Sequence, residues 1–185
     1  AATDGVVTAT ISDTNIATLD DLTTASTDQL TITVASTTAT ASQLTTVAGA
    51  TGVNVTATAV ETVSGTAGQV DALLLVEGTG ATDVNLDDDY NITINSGTAT
   101  VTQANAYGAA TGGVVTATIS DTNIATLDDL TTSSADQLTI TVASTTATAA
   151  QLKTVGDATG LNVTATAVET INNSSVAQVI ALLLD

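Results

Sequence analysis

The stretch Gly5-Val-Val-Thr-Ala-Thr-Ile-Ser-Asp-Thr-Asn-Ile-Ala-Thr-Leu-Asp-Asp-Leu-Thr23 returns without change at Gly113–Thr131, an offset of 108 residues (113 minus 5). The copy continues through Gln29–Ala41 (Gln137–Ala149) and Asn54–Thr62 (Asn162–Thr170). Near Thr66 the second copy gains one residue, and Val70-Asp-Ala-Leu-Leu-Leu75 then matches Val179-Ile-Ala-Leu-Leu-Leu184. A fixed period of this kind marks a repeat architecture, in which each unit buries its apolar face on the next. The chain divides into a first large repeat, residues 1–108, and a second, incomplete one, residues 109–185. With about one and two-thirds copies, it reads as a piece cut from a longer protein.

Inside each large repeat one grammar recurs. Val7–Ile11, Leu30–Val34, Val53–Ala59 and Tyr90–Ile94 alternate apolar residues with Thr or Asn, the pattern of a strand buried on one face. Small polar groups follow: Ser12-Asp-Thr14, Ser36-Thr-Thr38, Ser64-Gly-Thr66 and Ser96-Gly-Thr98. Their side-chain oxygens suit helix N-caps. Apolar residues then fall at helical spacing: Ile16, Leu19, Leu22; Ala41, Leu44, Val47; Ala67, Val70, Leu73, Leu74; Val101, Ala104, Tyr107. A strand, a helix and a like strand imply parallel pairing through crossovers. The expected fold is therefore a two-layer α/β solenoid of seven stacked strand–helix units, forming one continuous array. Helices would cover the apolar face of a parallel sheet, and Thr would line its open face. A solenoid connection is short, so the handedness of the crossovers stays open. In the third and fourth units, about eight extra residues leave two readings, a second short strand or an extra turn.

Composition narrows function by exclusion. The 185 residues carry 19 acids and one cation, Lys153, for a formal net charge of −18. Cys, Met, Pro, Trp, Phe, Arg and His are absent. That removes thiol and imidazole catalysis and the usual ligands of zinc, haem and iron–sulfur clusters. It also removes any basic footprint for nucleic acid or anionic lipid. Charged residues are 11% of the chain, against a usual ~25%. A hydrophobic content of 43% nonetheless supports a folded core. Runs such as Val179–Leu184 fall far short of the ~20 apolar residues that span a bilayer, so no membrane insertion is expected.

The motifs Val63-Ser-Gly-Thr-Ala-Gly-Gln-Val-Asp-Ala-Leu-Leu74, Val84-Asn-Leu-Asp-Asp-Asp-Tyr90 and Thr8-Ala-Thr-Ile-Ser-Asp-Thr14 resemble the Ala/Thr/Asp-rich tandem repeats of giant cell-surface, adhesin-like proteins of marine cyanobacteria and other bacteria. The resemblance runs over essentially the whole chain. It implies an extracellular or cell-surface location and a stalk, spacer or coat role, and it carries no catalytic residues. Residues low in nitrogen and sulfur fit a protein made in long arrays. Abundant Asp suits solubility in salty water, where repulsion is screened.

Candidate sites are few. Asp13, Asp20, Asp21, Asp28 and Glu61 recur as Asp121, Asp128, Asp129, Asp136 and Glu169, as parts of a repeat do, whereas an active site is built once; no enzyme is expected. Asp87-Asp-Asp89 is the densest acidic cluster and the candidate calcium site, since Ca²⁺ takes oxygen ligands. It matches no EF-hand spacing, and no other cofactor is expected. Thr8, Thr10, Thr31, Thr33, Thr56, Thr58, Thr116, Thr118, Thr139, Thr141, Thr164 and Thr166 form a Thr-x-Thr ladder. On stacked strands it would present a hydroxyl array, and the alternative function is binding of ice or glycan there, or of calcium by the acidic loops. The expected partners are neighbouring repeats and, through the end units, a second copy packed head to tail. Tyr90 and Tyr107 are expected to plug the core. The sequons at Asn54, Asn91, Asn162 and Asn173 are read as chance matches in a Thr-rich chain.

Overall fold

Leu30, Ile32 and Val34 are almost wholly buried while Thr31 and Thr33 between them are exposed, so the alternation resolves into a core face and a solvent face. The structure, a computed structural model, describes residues 5–184, and the side chains of residues 5–182. It is an α/β fold of short parallel strands and helices, in two compact units that part between Ser96 and Gly97.

The first unit runs β1 (Thr8–Thr10), α1 (Ile16–Leu19), β2 (Gln29–Thr33), β3 (Thr38–Thr40), α2 (Ala41–Gly49), β4 (Val55–Thr56), β5 (Thr62–Thr66), α3 (Ala67–Leu74), β6 (Val84–Asn85) and β7 (Asn91–Ser96). Its strands fall into two parallel sheets, β1-β2-β4-β6 and β3-β5-β7. The second unit runs α4 (Val101–Ala110), β8 (Val115–Thr118), α5 (Ile124–Leu127), β9 (Gln137–Thr139), β10 (Thr146–Ala147), α6 (Ala149–Asp157), β11 (Thr170–Ile171) and α7 (Val176–Leu184). There β8 pairs with β9 and β10 with β11, again in parallel, and single bridges join Ala99 to Ile119 and Thr141 to Thr164.

The units β1-α1 and β8-α5 are strand–helix as expected, whereas β2-β3-α2, β4-β5-α3 and β9-β10-α6 are strand–strand–helix. The extra strand is already present in the second unit of the repeat, and both longer units carry it. A bend at Ala35–Thr37 ends the first strand, and the N–H of Glu61 and of Thr62 both reach the carbonyl of Thr37 across that corner. Tyr90–Ile94 also changes place. The sequence groups it with Val53–Ala59 as a strand of the same kind, but β7 pairs with β5, and Val84 stands opposite Val55.

Helices start where the chain supplies reciprocal caps. Thr40 and Gln43, Thr66 and Gln69, Thr100 and Gln103, and Thr148 and Gln151 each form a capping box. The caps at α2 and α4 therefore sit two residues beyond the expected Thr38 and Thr98, because strand or bridge residues intervene. At α1 and α5 the caps are Asn15 and Asn123, with Asp13 instead accepting the N–H of Asn15. These two helices end at Leu19 and Leu127, so Asp20 and Asp128 are C-caps and not part of a longer helix. Ala41, Leu44 and Val47 in α2, and Val101, Ala104 and Tyr107 in α4, form the buried faces expected of them. Tyr90 and Tyr107 are the largest wholly buried side chains, as expected. Each buried Leu, Ile or Val contributes about 1.5–3 kcal/mol, so a core of many small apolar residues can hold a chain with one cation.

Candidate functional site

Three surfaces bear on function: the hydroxyl faces, the acidic turn at residues 87–89, and the clasps that tie one module to the next.

The ladder does not form one even grid. Thr10 stands opposite Thr31, and Thr33 opposite Thr56, which in turn faces Asn85. Thr118 faces Thr139 and Thr141 bridges to Thr164. Thr8 and Thr116, however, lie opposite Gln29 and Gln137, and Thr58 and Thr166 lie in turns outside any strand. The expected twelve-residue array is corrected to short runs. The cause is register: consecutive strands are offset along their length, and the chain turns at Ala57, whose carbonyl takes the N–H of Val60. A second hydroxyl face, on β3-β5-β7, escaped the sequence reading: Thr38–Thr62–Asn91 beside Thr40–Ser64–Thr93.

Asp87, Asp88 and Asp89 are exposed, and the carboxylate of Asp87 accepts the N–H of Asp88. Asp87 and Asp89 line a cleft of about 410 Å³ with Thr58, Glu61 and Asn91. Among the described residues no three carboxylates stand close enough to hold a metal ion, so the expected calcium ligands are not gathered into a site. Beside this turn the hydroxyl of Tyr90 donates to Glu77 at 2.7 Å. Burial pushes the Glu77 carboxyl up from its ordinary value, against the Tyr90 hydrogen bond, with Asp88 adding to the rise. Burial likewise raises the Tyr90 phenol, and the bond to Glu77 adds to it.

The clasps are the most regular chemistry in the molecule. Asp28 is 8% exposed and accepts the N–H of Val7 at 2.8 Å and of Ala25 at 3.1 Å. Those bonds, Val7 first, hold its carboxyl below the ordinary Asp value. Asp136, also buried, accepts the N–H of Val115 at 2.8 Å and of Ser133 at 2.9 Å. The Ser36 hydroxyl accepts the first helical N–H of α1, from Ile16, and Ser144 that of α5, from Ile124. Asn54 was read as a chance sequon. Its amide is instead committed to the carbonyls of Gly78, Gly80 and Asp83, at 3.0–3.1 Å. These clasps join residues 20 to 29 positions apart, one module to its neighbour.

The comparisons add no relative: no protein-family model, curated protein or solved structure matches the chain. No helix among the described residues is long and apolar enough to cross a membrane.

Proposed function

We propose that the chain is a structural tandem-repeat segment, a stalk, spacer or coat element, of a very large secreted or cell-surface bacterial protein. In this reading the modules stack as one continuous α/β solenoid, and the partners of each module are its neighbours in the array. The carrying observation is that the two copies repeat the same clasps at the same places, Asp28 with Asp136 and Ser36 with Ser144. Chemistry that recurs in register serves the array, as stacked-repeat energetics require. The likeness to Ala/Thr/Asp-rich surface repeats and the missing catalytic residue types support the same reading and a non-enzymatic role. An antibody against this chain should label the outer surface of intact source cells, with projections shortened when one 108-residue copy is deleted from the parent protein. Labelling confined to the cell interior would contradict it.

A further inference from the structure

The joints between modules are unequal. In the first unit, β1-α1 meets the module that follows it through one strand pair, β1–β2, in register over three residues. The next two joints use two pairs each, β2–β4 with β3–β5 and β4–β6 with β5–β7. The helix of the thin module is short as well. α1 has four residues and buries Ile16 and Leu19, whereas α2 has nine and buries Ala41, Leu44, Val47 and Ala48. Fewer hydrogen bonds and less apolar burial make the joint after β1-α1 the weak one. The second unit repeats it in the interior of the chain. β8-α5 has a neighbour before it, where Ala99 bridges to Ile119 and Val101 donates to Asp121, yet it meets the module after it through the single pair β8–β9.

Slack is stored at the same joint. Residues 20–28, from the C-cap of α1 to the start of β2, form neither helix nor strand, and nor do residues 128–136. Only residues 50–54 separate α2 from β4. Asp28 holds the slack and the joint together. Its carbonyl takes the N–H of Gly52, which fixes its backbone to the module beyond. From there one carboxylate oxygen accepts the N–H of Ala25, inside the linker, and the other accepts that of Val7, across the joint. Asp136 makes the same three contacts, with Gly160, Ser133 and Val115. The other ties across the first joint are neutral, such as Ile16 to the Ser36 hydroxyl and Ala35 to the Thr14 carbonyl. Hydrogen bonds to a carboxylate are about twice as strong as neutral ones, so the acid is the latch.

We propose that this joint is the yielding element of each 108-residue repeat, latched by Asp28 in one copy and by Asp136 in the other. Under tension along the array the latch releases and the single strand pair parts. The nine-residue linker then extends by up to about 30 Å while the two-pair joints stay closed. This inference rests on the stacked-module reading and deepens it: the spacer carries an extensible section once per repeat. Because both neighbouring modules stay folded, the step reverses when tension falls.

Magnetic tweezers holding the 185-residue chain by its ends test this. The latch at Asp136 should give an early reversible step of up to about 30 Å, below the force at which whole modules unravel in steps of about 80–100 Å. Thr118→Cys with Thr139→Cys, at facing exposed positions of β8 and β9, staples the joint. Oxidised, this variant should lose the step, and reduction should restore it, which makes the reduced form its own folding control. Thr38→Cys with Thr62→Cys staples the two-pair joint at β3–β5 and should leave the step in place. Asp136→Asn should shift the step to lower force. A step that survives the oxidised Thr118/Thr139 staple, is lost with the Thr38/Thr62 staple, or keeps its force in Asp136→Asn overturns the latch and leaves the stacked fold untouched. So does a single rip that opens the whole chain at once. A chain that stretches without any step would instead defeat the stacked reading and the latch with it.

Discussion

The Oγ1 of Thr51 accepts the N–H of Leu30 at 3.0 Å and donates to the carbonyl of the same residue at 2.9 Å. It also accepts the N–H of Val53, so one wholly buried hydroxyl stands in for a residue of strand pairing. Thr159 does the same for Leu138, at 2.9 Å in both directions. Replacing Thr51 with Val keeps the shape and strands the buried N–H of Leu30 and the half-buried N–H of Val53. Unfolding by denaturant should show a loss of about 1–3 kcal/mol, and Thr159→Val a loss of the same sign. An unchanged midpoint would mean that water or a neighbour takes over the bonds.

Gly52 follows directly, and its N–H donates to Asp28 at 2.6 Å. A Cβ on Gly52 would lie 2.5 Å from the carbonyl oxygen of Ser26, and one on Gly160 would lie 2.6 Å from that of Ser134. Backbone cannot rotate away as a side chain can, so Gly52→Ala should destabilise by about 1–3 kcal/mol. Gly68, inside α3, has open space around the same position, and Gly68→Ala should stabilise by up to about 1 kcal/mol. Equal effects in a thermal melt would refute the contrast.

Acid should weaken the fold partly through Asp28. Its folded carboxyl titrates below the ordinary value of 3.8, so its contribution is present above that value. The contribution disappears as pH falls from about 3.8 through the lower folded value. Asp28→Asn should lower the melting temperature at neutral pH and flatten its decline in that acid window. A variant that loses stability in parallel with wild type at every pH would count against the clasp.

Glu77 has the opposite sign. Burial raises its carboxyl above the ordinary 4.5, so it weakens the fold as pH rises through the folded value. The Tyr90 hydroxyl relieves part of that cost. Tyr90→Phe should therefore destabilise by about 1–2 kcal/mol at pH 7 and by less near pH 4, where Glu77 is protonated. Chemical denaturation at the two pH values reads the difference, and a loss larger at pH 4 would contradict the pairing.

Much of the fold was legible where period and burial agree. The Leu30–Val34 alternation and the Ala41/Leu44/Val47 spacing each specify one buried face; the second copy repeats the alternation fully and the helical spacing with Leu152 only half-buried. The second strand was harder to see, because Thr38–Thr40 is only three residues long, too short for a period of two to show. The Thr-x-x-Gln spacing at residues 40, 66, 100 and 148 was a visible signal of the helix starts, and it places them better than the Ser-Gly-Thr groups do. Thr51 and Thr56 look alike in composition, yet one is buried and one exposed; the recurring Ala-Thr-Gly at 50–52, 110–112 and 158–160 marked the buried kind. Register was not legible, since Thr occupies outward, buried and turn positions alike. For that reason the hydroxyl grid was drawn too large.

The central claim is that modules stack one on the next along a single line. Small-angle X-ray scattering from one, two and three joined copies of the 108-residue repeat tests it most directly. Four modules at about 4.8 Å each should lengthen the particle by about 19 Å per copy, at a constant cross-section. A cross-section that grows with copy number, with little change in length, would contradict the account.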